Sequence, residues 1–326
     1  MKEYYNIKKI SNSSLSWFQH SPKYFKLMLD KELVEETKSY YEKGEQIHQY
    51  ILEPDEFDKN YIFLDYETPS SKQQKDFVEK YARLKKGSKE ENLLKAYKES
   101  YSTKESDEKV LEKAIQLAKT YESYIKYTKL STMYKSVLSN SMHNQLNESR
   151  KAVLHHSKAF ELMYNGIHDA FGNTDNLFIS NEFEIYWTTP TGLECKSMID
   201  RIVIDHKEKR ITLTDLKTTS HLPEFKDKFM EYKYYRQMAF YWMAIYWYFK
   251  NTFIDKDINE YVKETFIVAI GTKDPIEVKV FEVSEPKLKE GLIEIEPLLN
   301  QLEWHFKENK WDYTRAYYEG KTTEKI

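Results

Sequence analysis

GLECKSMIDRIVIDHKEKRITLTDLKTT (192–219) decides how this chain reads. Two runs rich in apolar and β-branched residues flank a charged turn, so the stretch reads as two neighbouring strands. Asp200 falls near the start of the first strand and Asp215-Leu216-Lys217 inside the second. Side chains repeat every second residue along a strand, which sets Asp215 and Lys217 on one face. Two carboxylates converging on one spot repel unless a divalent cation lies between them, and oxygen ligands suit Mg²⁺ or Mn²⁺. A lysine beside that cation orients or deprotonates a water, or stabilises developing negative charge. Asp and Lys two apart on a strand are more often an exposed ion pair of little energetic worth. Here the strand ITLTDLKTT is otherwise uncharged, so acid and base are not part of a solvated stripe. The pattern points to metal-assisted hydrolysis, most naturally of a phosphodiester.

Working upstream, NLFISNEFEIYWTT (176–189) reads as a preceding strand, joined through the turn Thr189-Pro190-Thr191-Gly192. Glu182, taken to lie at its start, and Glu184 share one face by parity, and either is placed to supply a third carboxylate. Downstream come two helices, PEFKDKFMEY (223–232) and YYRQMAFYWMAIYWYFKN (234–251), and two strands, ETFIVAIGT (264–272) and IEVKVFEV (276–283). A C-terminal helix is expected over 285–309. Gln237 and Tyr241 are four apart and share a helical face, and both need hydrogen-bond partners in so apolar a helix. Strands followed by helix and strand predict a mixed α/β core.

Toward the N-terminus, 10–29 predicts two short helices broken at Pro22, and 39–53 a helix ending at Pro54 and carrying His48. A lone His on such a helix is usually packing or surface. YIFLD (61–65) reads as a short strand. From about 70 to 165 the chain is Lys-, Glu-, Gln- and Leu-rich with helical periodicity, including 133–156, and Gly87-Ser88 marks a break. This stretch reads as a helical insertion or lobe within a single domain spanning 1–326.

Composition narrows the class without choosing it. A net charge of −3 excludes a uniformly basic surface, but 50 Lys and Arg residues can still cluster on one face. The single cysteine, Cys195, excludes an intrachain disulfide framework and any four-cysteine cluster. No run of 18 apolar residues occurs, and AFYWMAIYWYF (239–249) is too short to span a bilayer. A cytoplasmic protein without membrane contact is expected, in a bacterial or phage-infected cell.

Six motifs in order give the chain a resemblance to the PD-(D/E)xK nuclease superfamily, on the branch of RecB-type nuclease domains and RecE-type phage and prophage exonucleases. They are the helix Ser11–Tyr24, Gly44-x-x-x-His48 followed by LEPDEF, and a glutamate strand ending in Ile185-Tyr186-Trp187. Gly192-Leu193-x-Cys195-x-x-x-x-Asp200, Asp215-x-Lys217-Thr218-Thr219 and Gln237-x-x-x-Tyr241 complete the set. The resemblance covers most of the chain, least so the 70–165 region. It departs from the pattern at Ile199, where the motif has proline.

The resemblance implies a restriction-endonuclease-like α/β fold, a mixed β-sheet core flanked by helices. Asp200 and Asp215 would bind metal, with the Leu216 carbonyl as an extra ligand. Lys217 would position the attacking water, and Glu182 would complete the acidic site. His48 would contact a second metal or help hold the nucleotide, and Gln237 and Tyr241 would orient the lysine and the scissile phosphate. The implied activity is a Mg²⁺-dependent 5′→3′ exonuclease on double-stranded DNA ends, with Mn²⁺ as a substitute. An endonuclease of the same superfamily and a catalytically degenerate DNA-binding protein are the alternatives. Also implied are a ring-shaped homo-oligomer and a single-strand annealing protein as partner. Relatives with an iron–sulfur cluster carry a cysteine where this chain has Ser21, so no iron–sulfur cluster is expected.

Overall fold

The computed structural model describes residues 3–33, 39–164 and 176–323. Helices α1 (Asn12–His20) and α2 (Pro22–Asp30) are separated by one residue. The Ser21 side chain accepts from Tyr24 N, and Pro22 starts α2 where a missing N–H costs nothing. Helix α3 (Ser39–Leu52) follows, then α4 (Pro54–Asn60), strand β1 (Tyr61–Phe63), α5 (Lys72–Arg83), α6 (Lys89–Tyr101), α7 (Asp107–Thr120) and α8 (Glu122–Leu130). Strand β2 (Ser136–Leu138) and helices α9 (Asn140–His155) and α10 (Ser157–Tyr164) lead to the sheet.

The sheet is made of β3 (Leu177–Thr188), β4 (Glu194–Asp205), β5 (Arg210–Thr219), β6 (Val262–Gly271) and β7 (Val278–Glu282). Between β5 and β6 lie α11 (Phe225–Glu231) and α12 (Tyr234–Thr252); α13 (Glu285–Glu308) and the short α14 (Arg315–Tyr318) end the chain. Strand order is β3-β4-β5-β6-β7. β5 and β6 are parallel and the other pairs of this sheet antiparallel, as two successive hairpins, a helical crossover and a third hairpin require. The result is a mixed α/β sheet flanked by helices, the restriction-endonuclease-like class.

The chain divides into two compact units, Gln49–Glu148 and the remainder. The larger unit has the main core, in which Ile199, Ile202, Leu213, Phe240 and Ile267 are fully buried. Gly291 of α13 lies so close to α12 that an added Cβ would stand 2.7 Å from Ala239 Cβ and 2.8 Å from the Tyr235 carbonyl. The smaller unit has its own core around Phe77, Val78, Leu93 and Ala96. The helical region expected over 70–165 thus straddles the boundary of this unit, which begins at Gln49 and ends at Glu148.

Three local expectations are corrected. Asp200 is in the middle of β4, not near its start, and Glu182 is in the middle of β3. Ser136–Leu138, read as part of a helix, is a strand paired in parallel with Tyr61–Phe63. A three-residue strand with a partner so distant in sequence leaves no local periodic signal.

Candidate active site

The register of the first hairpin puts the acids in one row. β3 and β4 pair Asn181 with Arg201 and Phe183 with Ile199, so Glu182 stands opposite Asp200. β4 and β5 pair Arg201 with Thr214 as the last rung, and one residue further on Asp200 faces Asp215. Glu182, Asp200 and Asp215 therefore share one face across three adjacent strands. Lys217, two residues past Asp215, is on that face as well. Cys195 is an odd number of residues from Asp200, on the other face, and is buried.

Where the β4–β5 ladder stops, side chains take over its hydrogen bonds. Leu216 N donates to Asp200 Oδ2 at 2.7 Å. The Leu216 carbonyl lies 2.5 Å from His48 Nε2. That carbonyl can only accept, so His48 carries its proton on Nε2 and turns Nδ1 toward the acids. Nδ1 lies 3.8 Å from Asp200 Oδ2 and 4.0 Å from Glu182 Oε1.

Gly44 explains how α3 reaches this depth: a Cβ there would sit 3.0 Å from Thr218 Oγ1. Four helical residues advance about 6 Å and two strand residues about 6.6 Å. Gly44 against Thr218 and His48 against Leu216 thus fit a helix running antiparallel to β5.

Glu182 has a backbone φ of 46°, the left-handed region that a non-glycine residue occupies only at a cost of about 1–3 kcal/mol. Its side chain is largely buried, whereas Glu184 is exposed and accepts from the Tyr186 hydroxyl at 2.6 Å. Parity alone left both glutamates open; the structure brings Glu182 to the row and leaves Glu184 outside it.

Asp215 is fully buried, and neither carboxylate oxygen has a hydrogen bond of good geometry. Its neighbour is the Lys217 ammonium, 2.7 Å from Oδ2. Lys217 Nζ also sits 5.0 Å from the centre of the Tyr234 ring, within cation–π range. Burial pulls the Lys217 ammonium down, but Asp215 and Asp200 outweigh it and the group is held charged. Burial, then the charge of Asp215, push the Asp200 carboxyl up to about 7. Burial opposes charging of His48, but Asp200 and Glu182 outweigh it and raise its pKa.

Gln237 Nε2 donates to the Tyr241 hydroxyl at 2.7 Å. Burial raises the Tyr241 pKa, as do the charges of Asp215 and Asp200, so the phenol keeps its proton. Tyr234, which sequence reasoning passed over, is three residues before Gln237. Tyr234, Gln237 and Tyr241 form an i, i+3, i+7 stripe of α12, a signal that was available.

Three carboxylates against one ammonium leave an excess of negative charge in a buried row. Asp215 Oδ1, buried and without a hydrogen-bond partner while Oδ2 faces Lys217, leaves an acceptor open toward a cation. One nitrogen of His48 and one oxygen each of Glu182 and Asp200 lie within 4.8 Å of one another, a donor set that fits a divalent ion.

A mixed sheet whose central hairpin carries Asp200 opposite Asp-x-Lys, with an acid on the strand before, defines a PD-(D/E)xK nuclease. Residues 11–315 match the family model described as a PDDEXK-like domain of unknown function (DUF3799), and the chain belongs to that family. No curated protein matches the sequence. A solved structure from Eubacterium rectale, provisionally described as an exonuclease, matches at 15% identity and a TM-score of 0.37, covering 90% of this chain and 94% of that one. Among the described residues, no helix is long and apolar enough to cross a membrane.

Proposed function

We propose that this chain is a Mg²⁺-dependent deoxyribonuclease that works 5′→3′ from the ends of double-stranded DNA. The observation that carries the reading is the buried Asp215 carboxylate, paired through Oδ2 with Lys217 and open at Oδ1, in a row with Asp200 and Glu182. Asp200, Asp215, Glu182 and His48 would hold the ion, and the imidazole among them suits Mn²⁺ as a substitute. When bound, a divalent cation supplies Lewis-acid charge for hydrolysis of a phosphodiester.

The chain's own groups do the rest. Lys217, held between Asp215 and the Tyr234 ring, keeps N–H bonds free to orient an attacking water and to stabilise charge developing on phosphoryl oxygens. The Tyr241 hydroxyl accepts from Gln237 and so has its own proton to donate toward the same charge. His48 spends its Nε2 proton on Leu216, which fixes the ring and keeps Nδ1 directed at the acids.

Exonuclease polarity and a place in phage-type recombination rest on the resemblance to RecE-type enzymes. The same resemblance supports a ring-shaped homo-oligomer and a single-strand annealing partner; a strictly monomeric native mass would remove the ring. The deciding experiment digests end-labelled linear duplex, beside covalently closed circular DNA, with and without Mg²⁺. Mg²⁺-dependent loss of the linear substrate alone is expected. Cutting of closed circles would replace the exonuclease reading with an endonuclease one, and absence of cutting in Mg²⁺ or Mn²⁺ would refute both.

A further inference from the structure

Beyond the acidic row, β5 and β6 end together. Their parallel register runs to Thr219 opposite Gly271, and Thr272 N then donates to the Thr219 carbonyl at 2.8 Å. The two strands open into separate loops at their carboxyl ends, the place where open α/β sheets form crevices for ligands. Three cationic or hydrogen-bond-donating side chains from three segments lie at this end of the two strands. Lys43 of α3 donates from Nζ to the Thr272 carbonyl at 3.4 Å. Lys273, the next residue, donates from Nζ to His221 Nε2 at 3.1 Å. An ammonium can only donate, so His221 accepts on Nε2 and carries its proton on Nδ1, leaving that N–H as a further donor.

Lys43 and Lys273 differ from the paired lysines of the surface. Neither has an ion-pair partner among the described residues, although Glu42, Asp274 and Glu277 are close in sequence. Lys209, by contrast, pairs with Glu260 at 2.5 Å and Lys289 with Glu285 at 2.8 Å. The contact of Gly44 with Thr218 pins the helix carrying Lys43 against the end of β5. Lys273 and His221 are exposed and Lys43 is half-buried, so their donors are open to a ligand.

We propose that Lys43, His221 and Lys273 form a binding site for a backbone phosphate of the DNA strand beyond the acidic row. The inference rests on the nuclease reading above. The position supports it: Thr219, where β5 ends, is two strand residues beyond Lys217, about 6.6 Å along the strand. A phosphodiester is the ligand that two ammonium groups and a neutral N–H donor suit, because it offers charge and several acceptor oxygens without demanding a shaped pocket.

The test uses the full chain and a labelled duplex in EDTA, so that binding is read without cleavage, across a series of NaCl concentrations. In K43A/K273A the slope of log affinity against log salt should become shallower by about 1, as loss of one neutralised phosphate requires. K273E alone should lower affinity further than K273A. K209A/K289A, with the same change in charge at paired surface lysines, should leave the slope unchanged. Under Mg²⁺, K43A/K273A should raise KM several-fold and leave kcat near wild type, because the site holds ground state and transition state alike. An unchanged slope in K43A/K273A, while wild type binds and cuts DNA, overturns the phosphate site and leaves the nuclease reading standing. Wild type that does not bind duplex DNA removes both.

Discussion

In the unit Gln49–Glu148, acids and lysines meet at the surface: Lys80 with Asp76 at 2.7 Å, Lys113 with Glu105 at 2.6 Å, and Lys98 with Asp107. The larger unit has such surface pairs too, but it also takes charged groups inside. Arg236, 1% exposed, donates to Asn12 Oδ1, Gln19 Oε1 and Ser16 Oγ. Arg201 donates to the Leu162 carbonyl and Asn181 Oδ1, and Lys196 to the carbonyls of Tyr4 and Ile7. Surface pairs are screened and contribute little, whereas each buried ion costs several kcal/mol of desolvation. What separates the buried groups from one another is their partners. The interior solvates these cations with neutral oxygens, but sets its carboxylates against each other with one lysine among them. The first arrangement holds helices in place; the second offers, with His48, a donor set that fits a divalent ion.

The sharpest break in this contrast is at the acid row. Asp215→Asn or Lys217→Ala should lower Mg²⁺-dependent cleavage by on the order of 10²–10³-fold with the fold retained, read by end-labelled digestion beside circular dichroism. Wild-type rates in either purified variant would end the assignment. Among the solvated cations, Arg236→Ala leaves Asn12, Ser16 and Gln19 without their donor and should cost about 3 kcal/mol in urea unfolding. Gly291→Ala forces α12 and α13 apart and should cost about 1–3 kcal/mol in the same measurement.

A pH series separates the acids from the cations. The Asp200 carboxyl is raised by burial and by Asp215 to about 7, so between pH 4 and 7 the native state holds a proton that the unfolded chain has released. Stability of the metal-free protein from this group is greatest at low pH and is lost as pH rises to about 7. Asp200→Asn should flatten that slope in melts run in EDTA, and parallel wild-type and variant curves would contradict it. For the same reason, divalent-ion affinity should weaken as pH falls below about 7, checked by titration calorimetry. The smallest effect belongs to the other unit: Lys98→Ala should move the thermal midpoint by no more than about 1–2 °C.

Much of this was legible in the strand pattern, and the gaps have physical causes. Alternation placed Asp215 with Lys217 and Cys195 on the far face, because a period of two is rigid. It left Glu182 and Glu184 undecided, since parity is identical for both; register and the left-handed backbone at Glu182 separate them. Tyr234 was passed over although its stripe with Gln237 and Tyr241 was visible, because what makes it matter is a contact with Lys217 across elements. β1 was read as a strand, but β2 escaped, because a three-residue strand owes its existence to a distant partner. The capped breaks at Pro22 and Ser88 were readable, because proline geometry and serine capping act within a turn of the chain.

The row of acids has a consequence for editing the molecule. Its alignment is fixed by the rungs 181–201 and 183–199 and by the rung 201–214, and not by the turns that join the strands. The turn at 206–209 and the one at 190–192 are therefore natural points for grafting a reporter peptide or fluorophore without moving the acids. One residue added between Arg201 and Ile204 would instead put Asp200 out of step with Asp215, an edit as damaging as deleting the carboxylate itself.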